Sequence, residues 1–379
     1  MTASHARRAA ATFAVAVAVA LIGCGGSGDT PTTAEAATLP EGFVGITAAE
    51  VFAASPGTRH QALDAQHAAG ARVLRQWINW AEIEKRKGKY DFRAYDQFIG
   101  DTSRAGLRVV PILFGMPRFY AAKPKKGAKV TAVTTMPPKS NATFARYVTA
   151  VVKRYGRNGT FWKKNPSIPA VPIESYQLWN EPNLPQYWGG KPDAKAYVKL
   201  LRAGAQAVRK ADPQAEVLAG GLPNSKQGVP LLKYVRQMYA AGAKGTFDTL
   251  AVHPYARSVA GVLDGARRAH QVSVAAGDGD AHVWITEVGW AAGPKAPGSD
   301  FTVTEAQQAK LVSDLYRQGA AQAERLKLRG IIYYAWRDVP PFPGGKDFWG
   351  LHTGLVKRNN SVKPALTAYA DAAKAIQAP

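Results

Sequence analysis

The sequence predicts an α/β fold, a single-domain (β/α)8 TIM barrel. The first observation behind this is alternation: short apolar, strand-like runs exchange with longer amphipathic stretches about eight times. The second is that several of these runs are apolar almost throughout, as in Arg108-Val-Val-Pro-Ile-Leu-Phe114, which suits strands covered on both faces. The third is length, since the part of the chain that follows its N-terminal segment, roughly 340 residues, is comfortable for one such barrel with extended loops. A doubly wound open sheet uses the same units. However, no Gly-x-Gly-x-x-Gly turn follows the first strand, and eight units suit closure better. No repeat of fixed period is visible, which argues against a solenoid. Apolar residues make up 46% of the 379 and charged residues 20%, an ordinary balance for a chain with a sizeable core.

Taken from the start, MTASHARRAAATFAVAVAVALIGC places Arg7 and Arg8 before an apolar run from about Ala9 to Ile22, with no acidic residue. That is the layout of a signal peptide over residues 1–23, and the run is shorter than the ~20 apolar residues that span a bilayer. It ends in Leu21-Ile22-Gly23-Cys24, which resembles the lipobox of bacterial lipoproteins, whose cysteine is acylated. Cys24 is the only cysteine. A lone thiol has no internal disulfide partner, and lipid attachment explains its presence in an exported chain. Cleavage after Ala34-Glu35-Ala36 with soluble secretion is the alternative. Residues 24–40, small, polar and rich in Gly and Pro, read as a flexible linker, and the catalytic domain is expected over 41–379.

Within that domain the strands are expected at Gly42 to Ile46, Arg72 to Trp77, Leu107 to Phe114, Ser175 to Asn180, Glu216 to Gly220, Thr249 to His253, His282 to Thr286 and Gly330 to Ala335. Between them, Phe144, Val148, Val151, Val152 and Tyr155 recur at three and four residues and build one apolar stripe of a helix over 141–155. Further helices are expected over about 194–210, 230–241, 304–321 and 363–376, the last closing the barrel.

Formal charge is +22. It favours anionic neighbours, yet the basic residues are scattered and no nucleic-acid motif accompanies them, so nucleic acid is not expected as a partner. Anionic envelope lipids or acidic glycans suit an exported chain better. Lys123, Lys125, Lys126 and Lys129 do cluster, although a solvated loop is the ordinary explanation of such a run.

Barrel proteins place their sites at the C-terminal ends of the strands. There, the fourth strand runs into Trp179-Asn180-Glu181-Pro182-Asn183 and the seventh into Ile285-Thr286-Glu287-Val288-Gly289-Trp290. Each glutamate follows an apolar strand and precedes a Gly- or Pro-containing loop, where packing gives no reason for a carboxylate. Cleaving a glycosidic bond needs two carboxyl groups on opposite sides of that bond, about 5–5.5 Å apart when configuration is retained.

W-N-E-P-N and T-E-x-G-W at this separation resemble the signatures of clan A glycoside hydrolases over most of the chain from about Gly42 to Ala370. Family 39 and its relatives, which include xylosidases and exopolysaccharide hydrolases, look nearest, and family 5 next. The resemblance implies Glu181 as acid/base and Glu287 as nucleophile of a retaining enzyme. It also implies Asn180 at the sugar 2-hydroxyl, Arg75 as a cation that keeps Glu287 ionised, and His253 with Tyr255 as a pair after the sixth strand, Tyr255 bonding the nucleophile. Trp336 would lie under the sugar, and Trp188 and Trp290 could add flat platforms. No cofactor is expected, and no metal, because the histidines are dispersed and neither H-E-x-x-H nor a cysteine pair occurs.

The expected function is hydrolysis of O-glycosidic bonds of a poly- or oligosaccharide, possible acidity included, by a monomer held through Cys24 at the outer face of the bacterial membrane. A sugar-binding barrel without catalysis and a transglycosylase are the alternatives. If the register is right, the loop from Met116 to Asn141 lies on the catalytic face and its lysines meet the glycan.

Overall fold

The computed structural model describes residues 39–121, 133–294, 296–341 and 345–378. Cys24, the signal-like run, most of the linker and the lysine cluster at 123–129 lie outside the described residues. No helix among the described residues is long and apolar enough to cross a membrane.

Eight parallel strands close into a barrel: β1 Val44–Thr47, β2 Val73–Asn79, β3 Arg108–Phe114, β4 Ser175–Leu178, β5 Glu216–Pro223, β6 Thr249–His253, β7 His282–Val288 and β8 Leu328–Tyr334. Each pairs with its sequence neighbours, and β1 meets β8 in the register Val44↔Ile331 to Thr47↔Tyr334, so no edge is left open. All eight expected strands are present, most of them displaced by one to three residues at an end. A main helix follows each strand: α1 Pro56–Ala68, α2 Arg93–Arg104, α3 Asn141–Tyr155, α4 Ala194–Ala211, α5 Leu231–Ala240, α6 Val259–Ala275, α7 Glu305–Ala321 and α8 Pro364–Gln377.

Two cores result from the two periodicities. Inside the barrel, Val73, Val110, Leu218, Ala251, Trp284 and Ile332, one from each of six strands, form a separate buried plug. Outside it, the opposite strand faces meet the helix stripes, including Phe144, Tyr147, Val148, Val151, Val152 and Tyr155 of α3. Each such side chain withdrawn from water contributes about 1.5–3 kcal/mol. The helices start where the sequence caps them: Thr304 and Gln307 form a reciprocal capping box on α7, and the Asp193 carboxylate accepts the Ala196 N–H at 2.9 Å on α4. At the other end of the chain, the Gln377 amide of α8 donates to the Gly70 carbonyl at 3.0 Å, tying the last helix to the loop that enters β2.

Candidate active site

Both glutamates arrive where strands end. β4 stops at Leu178 and the chain turns through Trp179, Asn180 and Glu181, while β7 carries Glu287 one residue before its last. Trp179 and Glu181 have φ of 76° and 44°, a conformation that costs residues with side chains about 1–3 kcal/mol. Their surroundings hold it. The Trp179 ring stands edge-on to Phe114 with centroids 4.6 Å apart, and its indole N–H donates to the Tyr187 carbonyl at 2.8 Å. The Glu181 N–H faces the carbonyls of Gly220 at 3.2 Å and Gly221 at 3.1 Å. Those carbonyls are exposed by an irregularity in β5 between Gly220 and Leu222. Gly221 has φ of +69°, and a Cβ there would come within 3.0 Å of Gln177, Asn180 and His253. Glycine is what lets β5 approach the site this closely.

One carboxylate oxygen of Glu181, one of Glu287 and a ring nitrogen of His253 lie within 4.8 Å of one another. This is close to the about 5–5.5 Å that double displacement requires. A metal could in principle use the same three groups. However, the Arg75 guanidinium already stands 2.6 Å from Glu287 and 3.3 Å from His253, so a cation bound there would meet a like charge.

Arg75, on β2 and only 1% exposed, sets the polarity of the whole site. It can only donate. Its Nη1 reaches Glu287 Oε1 at 2.6 Å, Nη2 reaches Asn180 Oδ1 at 2.8 Å, and Nε reaches Gln177 Oε1 at 3.0 Å. Both amides are thereby oriented: the Gln177 NH2 donates to Asn180 Oδ1 at 3.2 Å and to the Trp179 carbonyl at 2.9 Å. With its oxygen occupied twice, Asn180 keeps its NH2 free of any partner among the described residues. His253 is resolved in the same way. Its Nε2 faces Arg75 Nη2 and must accept, so Nδ1 carries the proton and donates to Glu181 Oε1 at 2.8 Å. Burial first, and Arg75 second, hold the His253 pKa well below 6.5, so the ring is neutral.

The two carboxyl groups therefore have unequal surroundings. Glu287 has a buried cation and the Tyr255 hydroxyl, which donates to its Oε2 at 3.2 Å. Glu181 is raised well above the usual carboxyl range by burial and then by the charge of Glu287, with Arg75 opposing. Its Oε1 is occupied by His253, which leaves Oε2 to carry a proton.

The remaining predicted residues divide. Tyr255 and Asn180 stand beside the carboxyl pair. Trp290 is fully enclosed, with its indole N–H on the Ala256 carbonyl at 2.8 Å. Trp188, 5% exposed, is wedged edge-on against Trp179 and Tyr197. Both rings are thus almost wholly covered by protein. Trp336 is covered to the same degree, at 4%, and lies just past the end of β8 at the mouth.

Sequence reasoning missed several neighbours. Gln177 sits four residues before Glu181 and Tyr334 two before Trp336, even spacings that strand alternation could have used to find them. Gly220-Gly221, a glycine pair inside a strand pattern, was a signal for the bulge. Tyr187 and Tyr334 both have phenols pushed up by burial and then by the two glutamates. Glu50, just beyond β1, is raised to about 7 by burial, with Arg337 opposing. Glu50 Oε1, Thr47 Oγ1 and Arg337 Nε are buried without partners among the described residues. A separate groove of about 890 Å³ runs along α2 and shares none of these residues. Its acids are already paired, Asp96 with Arg154 and Asp101 with Arg59.

Comparison with protein-family models and with curated sequences returned no match. Among solved structures the chain is similar to a family 39 glycoside hydrolase from the gut symbiont Bacteroides cellulosilyticus, with a TM-score of 0.64 and 18% identity over 89% of this chain and 64% of that one. It is also similar to a monomeric β-xylosidase from Caulobacter crescentus (0.63, 18%, 88% of this chain and 68% of that one). A third is an intracellular xylanase from Thermoanaerobacterium saccharolyticum (0.56, 13%, 88% and 95%). The chain thus spans less than two thirds of the first of these, and nearly all of the third. The fold these likenesses define is the closed (β/α)8 barrel found in glycoside hydrolases.

Proposed function

We propose that this chain is a retaining glycoside hydrolase. The observation that carries the reading is a pair of carboxyl groups within 4.8 Å of each other, one held by a cation and the other raised by burial. A carboxyl group that keeps its proton beside one paired with a cation is an acid and a nucleophile in waiting. Glu181 donates its proton from Oε2 to the departing glycosidic oxygen while a Glu287 oxygen attacks the anomeric carbon, so that the C–O bond to the leaving group breaks as the glycosyl–enzyme ester forms. Water then gives its proton to the Glu181 carboxylate and attacks the same carbon, and the ester opens with Glu287 as leaving group. The free Asn180 NH2 suits the 2-hydroxyl of the reacting sugar, and Trp336 suits its underside.

Turnover of aryl glycosides and polysaccharide panels tests this reading. Glu287→Gln should abolish it on every substrate. Glu181→Gln should lower it about 10²–10⁴-fold on sugars but leave a burst of phenol from aryl glycosides whose leaving group needs no proton. The first-formed sugar should have the anomeric configuration of the substrate. Inversion, or full activity in either variant, refutes the proposal.

The substrate is a poly- or oligosaccharide, and lysines 123, 125, 126 and 129 favour an acidic one. Equal rates on neutral and uronic-acid polymers, unchanged when these lysines become serine, exclude that preference. The lipobox-like run supports anchorage through an acylated Cys24 at the outer face of the membrane. Cys24→Ser should then move the protein from the membrane fraction to the medium.

A further inference from the structure

Tyr255, whose hydroxyl meets the nucleophile, is the inner end of an aromatic strip. Its ring stands edge-on to Trp349 with centroids 5.1 Å apart and tilted against Phe301 at 5.9 Å; those two meet each other at 4.6 Å. Phe348 extends the strip, perpendicular to Trp349 at 6.5 Å. These rings come from three different loops, those after β6, β7 and β8, all of which leave C-terminal strand ends and so border the mouth. Exposure increases outward. Trp349 and Phe301 are half-buried and Phe348 is 46% exposed. Large exposed apolar side chains are few among the described residues, namely Phe119, Val274, Phe348 and Val362. Both aromatic members are on loops of the catalytic face.

Single exposed apolar residues are ordinary and need no explanation. Phe348 differs because its ring packs beside Gly350, where an added Cβ would stand 2.5 Å from it, and joins a cluster that reaches Tyr255. A half-exposed ring, continuous through two others with a residue on the nucleophile, offers the apolar area that covers the C–H face of a pyranose. We propose that Phe348, Trp349 and Phe301 form a subsite for a glycosyl ring of the substrate chain beyond the ring that reacts. This inference rests on the hydrolase reading and sharpens it: the natural substrate is an oligo- or polysaccharide long enough to reach the strip.

The test compares kcat/KM on aryl monoglycosides with that on xylo-, cello- and manno-oligosaccharides from disaccharide to hexasaccharide. Phe348→Ala, which leaves every contact of Tyr255 in place, should cost about tenfold on the longer chains, chiefly in KM. Activity on aryl monoglycosides should stay within about twofold of the parent. Phe348→Tyr should keep the parent's chain-length preference, whereas Phe348→Leu, apolar but not flat, should lose it. Trp349→Ala should lose more than Phe348→Ala, because it also removes a ring that backs Tyr255. A chain-length preference unchanged in Phe348→Ala and Trp349→Ala overturns the subsite while leaving the hydrolase reading intact. If the parent turns over nothing, calorimetric titration of Glu181→Gln with the same oligosaccharides separates the two ideas. Binding weakened by Phe348→Ala then upholds the subsite without the enzyme, and binding indifferent to it overturns the subsite.

Discussion

Replacing Glu181 by glutamine should make the protein more stable at neutral pH while silencing it. Glutamine has the same shape, and its carbonyl oxygen can still accept the His253 Nδ1–H that now reaches Oε1 at 2.8 Å. What it lacks is a proton to lose. Burial and the neighbouring Glu287 raise the folded-state pKa of Glu181 well above the ordinary 4.5, against the opposing pull of Arg75. As pH rises past 4.5, the unfolded chain releases this proton before the folded chain does. Wild-type stability is therefore complete below that point and falls, relative to the variant, by about 1.4 kcal/mol for each pH unit up to the folded pKa. His253 loses stability in the opposite direction, as pH falls below 6.5, but it is common to both proteins and drops out of the difference. The assay is urea unfolding of both proteins at intervals from pH 4 to 8, with the slope m checked for constancy. The midpoints should coincide at the acid end and separate as pH climbs, with the variant above. Over the same range, kcat/KM on sugars with poor leaving groups should be about 10²–10⁴-fold lower in the variant. A stability gap independent of pH, or one that favours the wild type at pH 7, would mean that Glu181 ionises like a surface carboxylate, and the assignment of the acid would fail with it.

Three further outcomes follow from the same geometry. Arg75→Lys keeps the charge but cannot reproduce a fork that reaches Glu287, Asn180, Gln177 and His253; with at least two buried acceptors orphaned at about 1–3 kcal/mol each, chemical unfolding should register a loss of about 2–6 kcal/mol, and a loss below about 1 kcal/mol would refute the network. Gly221→Ala places a Cβ within 3.0 Å of Gln177, Asn180 and His253 at a φ of +69°, so kcat should fall more than KM rises while near-ultraviolet circular dichroism reports disturbed tryptophans; unchanged kinetics would show that β5 has room to spare. Glu50→Gln should stabilise the protein at pH 7 and above by about 3 kcal/mol, two and a half pKa units at about 1.4 kcal/mol each, because a carboxyl raised to about 7 costs the folded state as pH rises from 4.5; equal melting temperatures at pH 5 and pH 8 for variant and parent would contradict it.

The sequence made the barrel readable because its two periodicities are local. Apolar runs such as 108–114 and the three-and-four spacing in α3 need no distant partner to be recognised, and errors fell at strand ends, where pairing continues or stops according to the neighbouring strand. β5 runs on to Pro223 rather than ending at Gly220 because its irregularity lets it keep pairing with β6. The two glutamates were readable for a related reason: each follows its own strand, so its position needs only the strand's end. The side chains around them were harder. Glu50 belongs to a short helical turn with no strand pattern of its own, and its burial depends on what β8 and its loop bring alongside. Aromatic residues gave the poorest guide. Trp188 and Trp290, chosen for their nearness in sequence to the glutamates, point into the packing, while Trp349 and Phe301, distant in sequence, reach Tyr255 through long loops. No local pattern states which side of a loop a ring will take.

What separates the roles of two chemically identical side chains is the burial of one and the placement of a cation against the other. Arg75 stands on β2, two strands from β4 and three from β7 around the closed barrel, and its Nη1 meets Glu287. Were it to meet Glu181 instead, the charge would favour loss of the proton that Glu181 must give, and the neutral imidazole would be left beside the group that must attack. The arrangement found does the reverse. Because a guanidinium donates only, its contacts also dictate that Asn180 turns its NH2 away from Arg75 and that His253 turns its N–H toward Glu181. The proton's position on Oε2 and the free amide for the sugar are thus consequences of a single buried donor, while burial and the charge of Glu287 keep the proton on Glu181. For that reason Arg75→Lys also tests the mechanism: it leaves both carboxyl groups and a cation in the protein and removes the fork that orients Asn180 and His253.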